Sequence, residues 1–74
     1  MMTEDHLKKA IAVANEIGAK GIEGVAYLDL GRLHQVKGRS EQVQDCFSKA
    51  VRILEECESE VYLKQANRAL DSLK

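Results

Sequence analysis

The chain has 74 residues, with 11 lysines and arginines against 12 aspartates and glutamates, so it amounts to one small domain of nearly neutral, well-mixed charge. That balance excludes the basic footprint of a nucleic-acid binder or of a protein drawn to an anionic membrane surface. No run approaches the roughly 18 apolar residues of a membrane span, and the charged start "MMTEDHLKK" lacks the apolar stretch of a signal peptide, which points to the cytoplasm.

In chain order, Leu7, Ala10, Ile11, Ala14 and Ile17 recur at the three- and four-residue spacing of one helix face. They predict a helix over about 3–17, capped by Thr3 and closed by a left-handed Gly18. The corner that follows, "IGAKGIEG", has three glycines and a lysine, but a helix precedes it and neither Ser nor Thr follows Lys20, so it is not a phosphate loop. Gly24 inside the next helix costs about 1 kcal/mol relative to alanine, which implies close approach of a neighbouring helix. The three glycines together read as a packing device at this corner. The second helix runs from Lys20 or Gly21 to Lys37 through Val25, Ala26, Leu30, Leu33 and Val36, and Gly38 closes it. Ser40 is the expected cap of a third helix that continues through Val43, Phe47, Ala50, Val51 and Leu54 to about Glu56. Ser59, with Glu60 in the first turn, starts a fourth through Leu63, Ala66, Leu70 and Leu73. Short connections make neighbours antiparallel, and the expected fold is all-α, about four helices stacked as helical hairpins.

Shifting the sequence by 40 residues superposes "EDHLKKAIAVANEI" from Glu4 on "QDCFSKAVRILEEC" from Gln44. Leu7 then meets Phe47, Ala10 meets Ala50, and beyond the turn Ala26, Leu30 and Leu33 meet Ala66, Leu70 and Leu73. The stretch "VAYLDLGRLHQVKGRSEQVQDCFSKA" resembles the tetratricopeptide repeat: Tyr27, Leu30-Gly31 and His34 stand at the pattern positions of its first helix, Val43, Phe47 and Ala50 at those of its second, with Gly38 in the turn. His34 replaces the usual tyrosine and no proline ends the repeat. The period near 40 resembles the extended subclass found in tandem arrays, including those of bacterial signalling and regulatory proteins. The resemblance implies a right-handed superhelical stack with a half repeat at 3–18, a full repeat at 20–57 and a half repeat or cap at 59–74.

Catalysis finds no support in the residue pattern. His6 and His34 lie on different helices, no nucleophile stands beside a base, and Glu55, Glu56, Glu58 and Glu60 form a solvated helix end. Cys46 and Cys57 are about 16 Å apart along one helix, too far to pair or to share an ion, and read as reduced core thiols. No cofactor or metal is implied. What the resemblance does imply is protein binding, since the first helix of each such repeat lines a concave groove for a peptide or helix of a partner. Carried over residue by residue, the groove positions are Val25, Leu28, Arg32, Gln35 and Val36, then Gln65, Arg68 and Ser72, with the arginines favouring an acidic partner. Val25 and Leu28 serve equally well as packing between repeats. The polar residues Lys64, Asn67, Arg68, Asp71 and Lys74 suit a terminal capping helix, whereas "AIAVA" at Ala10–Ala14 is apolar round much of its circumference. That face calls for a preceding repeat of a larger protein or for a second copy of the chain, which makes self-association the alternative role.

Overall fold

The structure, a computed structural model, describes residues 3–57 and 60–73; Glu58, Ser59 and Lys74, which the sequence reading used for the helix end, the fourth cap and the polar face, lie outside them. The described chain is all-α, with α1 Glu4–Ile17, α2 Lys20–Val36, α3 Ser40–Glu56 and α4 Glu60–Asp71. Its extents are 31 × 26 × 19 Å.

Two corners use one device. Gly18 and Gly38 have φ of 72° and 73°, the left-handed conformation that costs a residue without Cβ least. Around Gly18 the Ala19 N–H donates to Ala14 O at 2.8 Å, and around Gly38 the Arg39 N–H donates to His34 O at 3.0 Å. Both close a Schellman turn that satisfies carbonyls at the helix end. At the start of α1 the Thr3 hydroxyl accepts from His6 N–H at 3.2 Å, as its sequence position predicts. Ser40 differs from expectation: it is the first residue of α3, the cap position belongs to Arg39, and no side chain caps that end. The left-handed Gly38 completes the turn one residue earlier than a serine cap would require.

Antiparallel neighbours are fixed by contacts at both ends. Asn15 near the end of α1 donates to the Glu23 carboxylate near the start of α2 at 3.0 Å. Lys20 at the start of α2 pairs with Glu56 at the end of α3 at 2.7 Å. Glu4 at the start of α1 meets Arg39, in the corner that follows the end of α2, at 2.8 Å. Packing joins chiefly sequence neighbours, α1 with α2, α2 with α3 and α3 with α4. A first apolar cluster has Leu7, Leu30 and Cys46, from the first three helices, with Tyr27 packed against it. A second has Leu28, Val43, Phe47, Ala50, Leu54 and Ala66 from the last three. Ala50, Leu54 and Ala66 expose nothing to solvent, so α3 is the buried centre of the molecule.

Glycine sets the spacing of α2 on α3. A Cβ at Gly31 would stand 2.5 Å from the Phe47 ring, and one at Gly24 would stand 2.7 Å from Leu54 Cγ. Both glycines are thus sites of close helix approach, as their positions in the sequence imply. Gly21 is not: nothing lies within 4 Å of its missing Cβ, so the packing role read for all three corner glycines belongs to Gly24 alone.

Candidate protein-interaction groove

Helices α2 and α4 both rest on α3 and leave a furrow between them, with Phe47 of α3 at its floor. Arg32 and Gln35 from α2, Gln65 and Arg68 from α4 and Ser72 just past its end converge on a recess of about 410 Å³ there. These are five of the eight positions expected from the sequence. Val25 lines a second recess, of about 450 Å³, with Leu7 and Ala10 of α1, Ile22 and Ala26 of α2, and Tyr62 of α4. The two recesses lie along one lane in the sense that Ile22, Val25, Asp29, Arg32 and Gln35 follow one another at helical spacing along α2, and Tyr62, Gln65 and Ala69 do so along α4, with Ser72 just past its end.

Two expected groove residues stand elsewhere. Leu28 is 1% exposed inside the second apolar cluster, so it cannot present itself to a partner; its role is the packing of α2 on α3 and α4. Val36 is 82% exposed at the last position of α2 and lines neither recess. The apolar end of the lane was carried by residues that the sequence reading passed over, Ile22 and Tyr62. Both are exposed large side chains, and they are equivalent positions of the 40-residue register, which is the signal that identifies them.

The electrostatics of the lane divide it. Its apolar end holds a single charge, Asp29, which pairs with Arg32 at 3.7 Å. Its polar end carries the guanidinium groups of Arg32 and Arg68 beside the amides of Gln35 and Gln65 and the Ser72 hydroxyl. Ser72 donates to Ala69 O at 2.7 Å, leaving its oxygen free to accept. Among the described residues no acid lines that end, and with Arg32 shared with Asp29 it is chiefly Arg68 that makes the surface there favour an anionic group.

The groups suited to chemistry do not gather in the lane. His6 is exposed on α1 and His34 is buried behind α1. Burial, with Asp45 adding to it, pushes the Cys46 thiol up, which opposes thiolate formation. Among the described residues no set of three or more His, Cys, Asp or Glu is placed to hold a metal ion, and no helix is long and apolar enough to cross a membrane. Comparison with protein-family models, with curated proteins and with solved structures gives no match for this chain.

Proposed function

We propose that the chain is a non-catalytic protein-interaction module of tetratricopeptide type that holds a segment of a partner in the lane between α2 and α4. The observation that carries this reading is the convergence of Arg32, Gln35, Gln65, Arg68 and Ser72 on one recess, with an apolar recess further along the same two helices. The partner segment sets an apolar side chain against Ile22, Val25 and Tyr62 and an acidic group against Arg32 and Arg68, which gives it both affinity and direction. On the strength of the extended-period resemblance, we read the module as a scaffold within a larger signalling protein of the cytoplasm.

Selection from a random peptide-display library tests it. Enriched peptides should combine an apolar residue with an acidic one, and Arg32→Ala with Arg68→Ala should weaken them about ten-fold or more, each lost charged contact costing roughly 1–3 kcal/mol. Tyr62→Ala should weaken them through the apolar end. Absence of any enriched sequence, or binding indifferent to all three changes, rejects the groove.

A second reading, self-association, has its own support. Val13 is 47% and Ile17 69% exposed on α1. A symmetric pair of α1 helices buries these side chains against each other. Light scattering over a concentration series should then show a dimer that Ile17→Lys returns to monomer; a monomer at every concentration excludes it.

A further inference from the structure

On the opposite side of α2 from the lane, α1 and α3 border a third recess of about 380 Å³, whose lining includes the acids Glu4 and Asp45 and the bases Lys8, His34, Arg39 and Lys49. One carboxylate serves four bases there. Glu4 meets Arg39 at 2.8 Å, Lys8 at 3.4 Å, His34 Nδ1 at 3.8 Å and Lys37 at 3.9 Å. The single negative charge of Glu4 therefore faces three permanent cations, Lys8, Lys37 and Arg39. The neighbouring Lys49 is already paired with Asp45 at 3.2 Å, so the surplus of positive charge stays at the Glu4 end. In a chain whose net charge is −1, this is a local concentration that the overall balance conceals.

His34 adds an independent sign. Its side chain is 7% exposed, and Nδ1 is a buried polar atom without a hydrogen-bond partner. A lone pair turned to the Glu4 oxygen would be repelled, so Nδ1 carries the hydrogen and points it at oxygen, but 3.8 Å is beyond hydrogen-bond reach. A buried donor left in this condition keeps an unrepaid desolvation cost. An additional oxygen within the recess removes the deficit.

We propose that this recess is a binding site for a small oxyanion of the phosphate class, either inorganic phosphate or the phosphate of a small ester, held by Lys8 and Arg39 with His34 Nδ1–H donating to it, while Lys37 adds positive charge from beside Glu4. Glu4 is an internal competitor that keeps the cations gathered when the site is empty. The ligand draws Arg39 and Lys8 from Glu4, and in doing so loosens the tie between α1 and the corner joining α2 to α3. The recess is far larger than a phosphate group, and the Tyr27 ring with Leu30 lines its inner side, where the organic part of an ester fits.

Titration of the uniformly ¹⁵N-labelled chain with inorganic phosphate, against chloride at matched ionic strength, tests the site. Saturable shifts should be confined to Lys8, the His34 ring and the segment around Arg39. Glu4→Gln removes a like charge beside the ligand and should tighten phosphate roughly ten-fold, whereas Arg39→Ala should abolish the saturable shifts with the helical circular dichroism unchanged. Lys8→Ala, at a side chain 60% exposed, gives a second variant that does not threaten folding. A parallel titration with glycerol phosphate separates the two sources, tighter binding naming the ester and equal or weaker binding the inorganic ion. If chloride reproduces the shifts, if phosphate does not saturate, or if Glu4→Gln only destabilises the fold without tightening phosphate, Glu4 and its bases are a structural clasp and the proposal fails.

Discussion

At the scale of single residues, the glycines of the first corner show how far position in sequence foretells use. Gly18 takes the left-handed turn, Gly24 admits Leu54, and Gly21 does neither. Alanine at these neighbouring sites should therefore act in opposite directions. Gly24→Ala drives a methyl into Leu54, which is fully buried and held at its Cγ, so overpacking of about 1–3 kcal/mol outweighs the helix-propensity gain of about 1 kcal/mol. Gly21→Ala meets open space and should raise the melting temperature, by a stabilisation of up to about 1 kcal/mol. Thermal unfolding of the two variants checks the pair; a stable Gly24→Ala would mean that α2 can shift on α3. Leu28 carries the complementary lesson. Helical spacing puts it in line with Arg32 and Gln35, and spacing alone cannot say that α4 covers it. The same shift of 40 residues sets Leu28 over Arg68, one buried and one solvated, because α4 lies over the first and no described helix lies over the second. Leu28→Ala should cost about 2–5 kcal/mol of stability, and any loss of partner binding should follow from unfolding.

At the scale of elements, the helices and their ends were legible because their causes are local: apolar period, Thr3, and glycines just past two helix ends. What was not legible is how one element ties to another. Glu4 lies 35 residues from Arg39 in sequence, and no pattern announces their contact at 2.8 Å. Its consequence is a dependence on acidity. Partial burial opposes ionisation of Glu4, but Lys8, Arg39 and Lys37 outweigh it, and its pKa is lowered from the ordinary 4.5. A lowered carboxylate pKa means that the folded chain holds the ionised form in preference to the unfolded chain. This stabilisation is complete above the ordinary value and is lost as pH falls through the lower, folded one. Glu56, held down chiefly by its hydrogen bond from Lys20, acts in the same direction at the other end of α3. Glu4→Gln should thus melt earlier than the parent near neutral pH, and the gap should close on acidification below the ordinary value of 4.5. A gap that persisted unchanged into acid would show that the charge of Glu4 is not what binds α1.

At the scale of the whole molecule, the apolar period foretold the all-α fold, and the resemblance named five of the residues that line the recess between α2 and α4. The lane's apolar end escaped because its lining comes from three helices at once, with Leu7 and Ala10 of α1 meeting Val25 of α2 and Tyr62 of α4. Only the folded arrangement brings these together. That arrangement, with each helix packed chiefly on its neighbour in sequence, also decides how the protein is reached from the unfolded chain. Contacts close in sequence need little loop closure before they are rewarded, so the search is short. Stopped-flow or temperature-jump kinetics should find folding within microseconds to milliseconds, the range of helical domains of low contact order. The same economy sets the order of loss. Helix α3, gripped from both sides, should exchange its amide hydrogens last, and α1 and α4, each held along one side, should open and close many times before the centre gives way.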